Sequence, residues 1–442
     1  MSFEFDSQTL KDIEIFKTVK NSKSIFDLFN FTRSLGGKNK LYDFLNSPLD
    51  NFDDIRQRVD AIAFFKNSKI TVDIDKNSLD FIEHYLTLGN YPTQPPSRFA
   101  AIEKGFLNKL SPNNDYYIIE RGVDYTLDLI NSLYKLSLDL QEKGCPDLIE
   151  KNNEKISKLF SQDEYAAISE IKSLEKISAY KTAQYDYLFR YTHKAQINFL
   201  LDLMYEYDVF MSLSKAAEKY SLSFPEVSPE KNMIRIEGLF HPFLKDPVKN
   251  NIDFNPDKNL LFVSGPNMAG KSTFLKSLGI AVFLAHAGFP VPAKSMCFSL
   301  FSGLYTTINL SDSLNSGYSH FYSEVLRIKY IAERLKVNNL LVIFDELFRG
   351  TNVKDAYDGS LAVISAFSEV RNSCFAVSTH IIEITSQLVS ISNIQFKYLE
   401  IIKQNGFPEY TYKLKDGISE DRLGTYILEQ ERLIEVIKEI NN

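Results

Sequence analysis

The sequence has little that would mark a secreted or redox-active protein. Three cysteines occur in 442 residues, Cys145, Cys297 and Cys374, and no two of them form a CxxC pair. This spacing predicts neither a zinc site nor a disulfide framework, and small apolar side chains in the core are the expected role. The N-terminus is acidic and lacks the basic-then-apolar pattern of a secretory signal, so we expect a cytoplasmic protein.

A long hydrophobic run is also absent. The most apolar stretch, residues 278–289, is too short to span a bilayer, contains His286 and runs into Pro290 and Pro292. This pattern is more typical of a buried helix, so no membrane partner is predicted.

Positive charge is not in excess. Lys and Arg total 50 against 57 Asp and Glu, which gives a formal charge of −7. Non-specific DNA binding comes mostly from Lys and Arg side chains that displace counterions, so this balance argues against a protein that is basic all over. A local basic face would still permit DNA binding.

Glycine and proline are both absent between Asp147 and Phe224. Within this stretch the apolar residues from Ile156 to Ile177 keep an approximately heptad-like spacing, which favours helices. Two arrangements fit the spacing: one or two long helices that reach outward as levers, or an ordinary helical bundle.

Helices are also predicted before this stretch. Apolar residues recur at helical spacing over residues 7–67, where Gly36-Gly37 and Pro48 are expected to interrupt the helices. Residues 89–122 contain several glycines and prolines, which should break this region into short pieces.

The pattern changes before residues 233–237, which alternate between apolar and polar like a strand. Short apolar runs then follow, separated by helical segments, at residues 260–264, 340–344 and 373–378. This order is typical of an α/β domain with a mostly buried parallel sheet. The predicted fold class is therefore α + α/β multidomain, with a helical domain over residues 1–224 and an α/β domain over residues 225–442.

The strongest motif matches the phosphate-binding pattern GxxxxGK[ST], and it lies after a predicted strand and opens a predicted helix. Its members are Gly265, Pro266, Asn267, Met268, Ala269, Gly270, Lys271, Ser272 and Thr273. Glycines let backbone N–H groups surround phosphate oxygens, and the helix N-terminus adds its dipole. Lys271 is expected to reach the β- and γ-phosphates of ATP, and Ser272 to bind Mg²⁺.

Two further strands are predicted to end in polar residues. After residues 340–344 come Asp345, which would hold Mg²⁺ through water, and Glu346, which would orient or deprotonate the attacking water and so favours hydrolysis. The third run delivers His380 to the same carboxyl edge of the sheet, where it can hydrogen-bond the γ-phosphate. Glu346, His380 and Lys271 are the candidate catalytic residues.

The order of these motifs is typical of ABC-type ATPases and differs from that of small-molecule kinases. A kinase would also need a phosphate-acceptor pocket. Sites of the ABC type are completed by a signature segment from a second subunit, so the second domain is predicted to be an ABC-type P-loop ATPase domain that acts in a homodimer.

Several segments resemble the MutS family of DNA mismatch-repair ATPases. The Pro-Asn-Met core of the phosphate loop is one, and Asp345-Glu-Leu-Phe-Arg-Gly-Thr351 and Ser378-Thr-His380 resemble the loops that carry the family's acidic pair and switch histidine. Further similar segments are Asp208-Val-Phe-Met-Ser-Leu, Phe240-His241-Pro242 and Gly417-Ile-Ser-Glu-Asp-Arg-Leu-Gly424. The similarity is close over residues 225–428 and fainter over residues 7–65.

The resemblance also implies a role for Ser319. Residues 314–324 are similar to the family's signature segment, in which a serine acts on the partner subunit's nucleotide, and Ser319 is the matching residue. His320 stands where the family usually has threonine, and Asn352 where it usually has serine. The resemblance thus implies a composite site in a homodimer, ATP and Mg²⁺ as cofactors, and duplex or branched DNA as a partner.

The family's mismatch reader has no counterpart in this sequence. That reader carries a Phe-x-Glu wedge on an N-terminal domain, whereas the segment similar to the family's core domain begins almost at Met1. We therefore expect a short form without the mismatch-reading and connector domains, with a reduced or absent clamp, and without direct recognition of mispaired bases.

Two functions follow from these observations. One is a MutS-type homodimeric ATPase whose nucleotide cycle moves helical levers on DNA during repair or recombination. The other is a nucleotide-switched interaction protein with little or no DNA binding, which the acidic balance and the missing reader favour.

Overall fold

The computed structural model divides the chain into two compact units. The α/β unit comprises Met1–Asp27, Ser47–Arg56 and Tyr220–Asn442, and the helical unit comprises Leu28–Asn46 and Gln57–Lys219. The structure describes residues 3–17, 22–70, 72, 75–89, 94–110, 114–163, 165, 168, 177–266, 268–308, 320–348, 351–404, 407–419 and 437. The predicted division assigned residues 1–224 to the helical domain, whereas in the structure two early segments group with the α/β unit.

Helices account for most of the chain before residue 220. They are α1 (Ser7–Asp12), α2 (Ile25–Phe29), α3 (Leu35–Asn46), α4 (Phe52–Ser68), α5 (Lys76–Thr87), α6 (Arg98–Leu110), α7 (Asn114–Lys143), α8 (Asp147–Phe160), α9 (Ala179–Tyr187) and α10 (Lys194–Lys219). A π-helical turn over Leu188–Thr192 joins α9 to α10. None of the described helices combines the length and apolarity that crossing a bilayer requires.

Helix α7 is 30 residues long and amphipathic. Its buried side chains recur every three or four residues from Val123 to Leu140, so one face of the helix is apolar. The prediction of short pieces over residues 89–122 is wrong from Asn114 onward. Gly122 lies inside the helix and does not end it. A Cβ atom at this position would come within 2.2 Å of the Tyr85 ring, so the glycine allows the two helices to pack closely.

Helix α3 begins at a buried carboxylate that belongs to α10. Asp208 accepts hydrogen bonds from the backbone N–H groups of Arg33 and Ser34 at 3.0 Å, and from the Ser34 hydroxyl at 2.8 Å. Arg33 and Ser34 lie directly before the first residue of α3, so these bonds fix the backbone where the helix begins. Gly36 and Gly37 lie in the first turn of α3 and let α10 approach, so the prediction that they interrupt a helix is wrong.

The described residues of the stretch without glycine and proline are mostly helical. They include α8 and a longer helical run from Ala179 to Lys219 that passes through the π-helical turn. Both α8 and α10 bury most of their apolar residues. The predicted helices are therefore confirmed, while their use as levers stays a prediction.

Two sheets form the framework of the α/β unit. The strands are β1 (Glu226–Ser228), β2 (Ile234–Leu239), β3 (Asn250–Phe254), β4 (Leu260–Ser264), β5 (Ser295–Ser299), β6 (Gly303–Thr307), β7 (Leu340–Asp345), β8 (Cys374–Ser378), β9 (Ile394–Gln404) and β10 (Phe407–Asp416). The larger sheet has the order β10-β9-β4-β8-β7-β6, and the smaller has the order β1-β5-β2-β3. The helices that follow are α11 (Lys271–His286), α12 (His320–Leu335), α13 (Val353–Ser368) and α14 (Thr385–Leu388).

The three apolar runs of the sequence form the centre of the larger sheet. Every residue of β4, β7 and β8 is buried, and these strands are parallel neighbours. The coarse α + α/β class is confirmed, and the P-loop ATPase arrangement of the second domain stays a prediction. Both sheets are mixed, however, because β10 runs antiparallel to β9 and β2 runs antiparallel to β3 and β5.

The early segments join the α/β unit through backbone pairing and ring packing. Glu4 forms a parallel bridge with Gly303 at the edge of β6. The N–H group of Leu49 donates to the carbonyl of His286 at 2.7 Å, and Phe3 stacks on the His286 ring. These contacts explain why the compact α/β unit includes residues that the hydrophobic spacing placed in a helical domain.

Candidate functional site

The larger sheet brings the ends of three strands to one edge. Since β4, β7 and β8 are parallel neighbours, the residues that follow Ser264, Asp345 and Ser378 emerge side by side. The carboxyl edge of a parallel sheet is where open α/β folds bind ligands. The predicted site residues that follow β4, β7 and β8 therefore lie at this one edge of the sheet.

The loop between β4 and α11 turns sharply. Gly265, Met268 and Gly270 all have positive φ angles, of 139°, 67° and 99°. The loop therefore ends directly on the first turn of α11, whose N-terminal N–H groups and dipole favour an anion. Asn267 lies outside the described residues.

Lys271, the first residue of α11, spans this loop. Its side chain is only 4% exposed, and its Nζ donates to the carbonyl oxygens of Gly265 at 2.8 Å and Pro266 at 3.1 Å. The same Nζ lies 3.8 Å from Oε1 of Glu346. The loop and the end of β7 thus meet at one ammonium group.

The acidic pair at the end of β7 divides into a buried and a cleft-facing carboxylate. Asp345 is 6% exposed and accepts a hydrogen bond at Oδ1 from the hydroxyl of Ser378. Glu346 has a φ angle of 55°, and its N–H donates to the carbonyl of Ser378 at 3.1 Å. This left-handed turn directs the Glu346 side chain toward Lys271.

His380 completes the group. Its Nδ1 lies 3.7 Å from Oε2 of Glu346, and its side chain is 48% exposed. A cleft of about 600 Å³ opens between these groups, and its described lining is Met268, Gly270, Lys271, Ser272, Thr273, Glu346 and His380. The space and the polar lining suit a phosphate chain.

The donor set fits a magnesium ion that is shared with phosphate. Mg²⁺ usually takes one or two protein oxygens and fills its remaining positions with water and phosphate oxygens. Asp345 is a buried carboxylate at the end of β7, and Ser272 lines the cleft. Among the described residues there is no cluster of three or more His, Cys, Asp and Glu side chains of the kind that forms an all-protein cage.

A second pocket of about 470 Å³ adjoins the cleft, and no sequence motif predicts it. It shares Met268, Gly270 and Thr273 with the cleft, and it is also lined by Phe240, Leu244, Pro247, Asn250, Leu399 and Tyr412. Its lining is largely apolar, as is usual for pockets that bind small organic ligands. Among the residues that line this pocket alone, Phe240 is in a segment that resembles the MutS family, and that resemblance does not indicate a pocket.

Tyr412 enters this pocket from an irregularity in the β9–β10 hairpin. It has a φ angle of 55° and lies where the register shifts between Tyr410 and Leu414. Asn250 brackets the irregularity: its Nδ2 donates to the Tyr412 carbonyl at 3.0 Å, and its Oδ1 accepts from the Leu414 N–H at 2.8 Å. No motif marks such a bulge, so the sequence offered no signal for it.

Other predicted features fall outside the described residues. Ser319 and most of the signature-like segment are among them, as are Arg349 and Gly350 of the loop after the acidic pair. Their predicted roles stay predictions.

Comparison with known proteins covers both units. The model for MutS domain III matches residues 8–222, and the model for MutS domain V matches residues 261–441. The DNA mismatch repair protein MutS of Petrotoga mobilis is 23% identical over 96% of this chain and 62% of its own length. Those of Shouchella clausii and Halalkalibacterium halodurans are 26% and 28% identical over 74% and 54% of this chain.

The chain spans only part of these relatives, namely 35% and 28% of the latter two proteins. The two domain models nevertheless cover most of its residues, and their boundaries follow the change from helices to sheet. The chain therefore belongs to the MutS family.

Proposed function

We propose that this chain is an ATP-hydrolysing, DNA-binding protein of the MutS type. The observation that carries the proposal is the convergence of Lys271, Glu346 and His380 on one cleft, at separations of 3.8 Å and 3.7 Å. A phosphate loop supplies binding alone, whereas a carboxylate and an imidazole beside it supply the means to activate water. Hydrolysis of ATP to ADP and phosphate is the reaction that uses all three groups.

Each group has a distinct role in this proposal. The ammonium group of Lys271 leaves its loop carbonyls for the β- and γ-phosphates when the nucleotide binds, and the N-terminus of α11 holds the remaining charge. The carboxylate of Glu346 orients the attacking water and accepts its proton. His380 donates a hydrogen bond to the γ-phosphate and loses that partner after cleavage.

Magnesium would be held by Ser272 and, through water, by Asp345. The bound ion would neutralise charge on the phosphate oxygens during cleavage. The hydroxyl of Ser378 donates to Oδ1 of Asp345 and so fixes the orientation of this carboxylate.

The adjoining pocket would take the base of the nucleotide. The two spaces are neighbours, because they share three lining residues. The Tyr412 ring packs over Gly270, where an added Cβ atom would lie 3.2 Å from the ring. Tyr412 is thus placed to stack on a base whose phosphates lie on the loop.

The assembly and the macromolecular partner are also part of the proposal. We infer a homodimer in which Ser319 of each subunit acts on the partner's nucleotide, and in which the nucleotide cycle moves the helical unit on duplex or branched DNA. Support comes from the family, whose relatives bear the name DNA mismatch repair protein. The charge of −7 favours the second candidate, a nucleotide-switched interaction protein that binds DNA weakly or not at all.

A pair of lysine variants tests the nucleotide site. Lys271→Ala should lose about 100-fold or more in ATP affinity, because the only ammonium group among the described cleft residues is removed. Lys276→Ala is the matched control on the same helix, since its side chain pairs with Glu14 at 2.9 Å and does not line the cleft. Equal ATP affinity of the Lys271 variant and wild type would overturn the assignment.

A DNA-binding series decides between the two candidate functions. Duplex, mismatched and branched DNA are titrated with and without ATP at several salt concentrations. MutS-type DNA binding predicts affinity that falls steeply with salt and depends on nucleotide. ATP hydrolysis without DNA binding at low salt would favour the interaction protein, and release of inorganic phosphate without any added acceptor would reject a kinase.

A further inference from the structure

The start of the chain forms an element that the proposed chemistry does not use. We call residues 3–12 the N-terminal strap. It runs along the edge of β6: the Glu4 N–H donates to the Ser302 carbonyl at 2.7 Å, and the Leu304 N–H donates to the Glu4 carbonyl at 2.9 Å. None of the described residues that line the cleft belongs to the strap.

The strap holds the end of β6 through a buried carboxylate. Asp12 is 1% exposed, and its Oδ2 accepts hydrogen bonds from the Thr306 hydroxyl at 2.8 Å and from the Ile308 N–H at 2.9 Å. The Thr306 N–H donates in turn to the Thr9 hydroxyl. Ile308 is the last described residue before residues 309–319, so Asp12 fixes the point at which that segment begins.

The strap also holds the helix on the other side of that segment. Arg327 of α12 donates to both carboxylate oxygens of Asp6 and, at 2.8 Å, to the Thr306 carbonyl. Burial alone would raise the pKa of Asp6, but the hydrogen bonds from Arg327 and Thr9 and the charge of Arg327 together outweigh burial and lower the pKa. Asp6 also caps α1 through the Thr9 N–H at 2.9 Å.

Both flanks of residues 309–319 are therefore attached to the same ten residues of chain. Helix α12 begins at His320, which follows Ser319 in the sequence, so the strap holds the helix to which Ser319 is covalently joined. We propose that Asp6, Asp12 and Arg327 are positioning residues for the segment that carries Ser319, and that the strap thereby controls hydrolysis at the partner's nucleotide. The proposal rests on the proposed function of Ser319 in a composite site.

Subunit mixing provides the test, because a positioning role toward the partner differs from a role in the subunit's own cleft. Arg327→Gln should bind ATP as wild type does. Its turnover should fall about tenfold or more, because a misplaced catalytic group lowers the rate of the chemical step. When Arg327→Gln is mixed with Lys271→Ala, each mixed dimer has one intact cleft, which belongs to the Arg327→Gln subunit. The Lys271→Ala subunit, whose strap is intact, supplies Ser319 to that cleft. The mixture should then be more active than either variant alone, at about a quarter of wild type for random mixing of a symmetric dimer.

Three further variants make the result decisive. Asp6→Asn keeps a cap for α1 while removing the charge that holds Arg327, so it should complement in the same way and covers the case in which Arg327→Gln does not fold. Lys329→Gln removes an exposed charge from the same helix and should be fully active. Ser319→Ala mixed with Lys271→Ala reports on the composite site alone.

The outcomes separate the strap from the proposed function. If Ser319→Ala complements Lys271→Ala but folded Arg327→Gln and Asp6→Asn do not, the strap inference is overturned and the composite site stands. If no pair complements, both fall. Weakened ATP binding by Arg327→Gln, without recovery on mixing, would likewise assign Arg327 to its own subunit and overturn the inference.

Discussion

Buried charges occur in both units of the molecule, but they face different surroundings. In the helical unit, Asp208 accepts from backbone and hydroxyl groups, and Asp186 is bound by Arg190 and by the Tyr85 hydroxyl at 2.8 Å. In the α/β unit, Lys271 and Glu346 meet beside a cleft that has room for a ligand. Burying a charge costs free energy in either place. A buried charge whose partners all lie in the interior maintains the fold, whereas a buried charge beside an open cleft is placed to bind a ligand.

The backbone shows the same contrast. In the described part of the helical unit, positive φ angles occur at Lys69 and Gly144, both outside the helices. In the described part of the α/β unit they occur at eight residues other than glycine, of which Met268 and Glu346 line the cleft. Each such residue costs on the order of 1 kcal/mol, so part of this strain falls on residues that face the candidate site.

The largest expected effect belongs to the cleft. Glu346→Gln keeps the size of the side chain and removes the base, so ATP turnover should fall about a thousandfold. ATP binding should persist, because the loop and Lys271 are unchanged. Phosphate release and equilibrium ATP binding, measured on the same preparation, check this result, and normal turnover would remove Glu346 as the base.

In the helical unit the corresponding substitution should affect stability alone. Asp208→Ala strands the N–H groups of Arg33 and Ser34 in the interior, so the free energy of unfolding should drop by about 4 kcal/mol. The matched control is Asp202→Ala on the same helix, which removes an exposed pair with Lys40 worth about 0.5 kcal/mol. Urea unfolding followed by circular dichroism measures both, and an equal loss from the two variants would contradict the contrast between the units.

Sequence reasoning succeeded where one local pattern determines both structure and chemistry. The runs before Gly265, Asp345 and His380 are continuously apolar because their strands are buried on both faces, and parallel pairing then brings their ends together. The pattern could not show that Gly122 serves close packing, because that depends on Tyr85, which is distant in sequence. Nor could it find Tyr412, whose position depends on a bulge held by Asn250 from another strand.

A buried histidine sharpens the comparison within the α/β unit. His286 lies away from the cleft; its Nδ1–H donates to the Leu49 carbonyl, and its Nε2 accepts from the Phe301 N–H. Burial lowers the pKa of His286 from 6.5 to about 4. Between pH 6.5 and pH 4 the unfolded chain binds a proton at His286 that the folded protein does not bind. Acidification through this range should therefore lower the free energy of unfolding by about 3 kcal/mol. Above pH 6.5 the contribution of His286 to this free energy should be constant.

The measurement is unfolding by urea at pH 7, 5.5 and 4. His286→Gln offers a donor and an acceptor without titrating, so its free energy of unfolding should fall less over this range than that of wild type. Parallel pH profiles of the two proteins would show that His286 is not the group responsible.

The smallest expected effect concerns Tyr412 and separates base recognition from phosphate recognition. Tyr412→Ala should weaken ATP binding about tenfold, the value of one aromatic stacking contact, and leave the affinity for inorganic triphosphate unchanged. Tyr412→Phe should bind ATP as wild type does, because the ring remains. Tyr410→Ala, which removes the ring that stacks on Tyr412 outside the pocket, is the matched control. Equal losses for ATP and triphosphate would mean that Tyr412 shapes the phosphate loop over Gly270, and the apolar pocket would then have to bind the base without it.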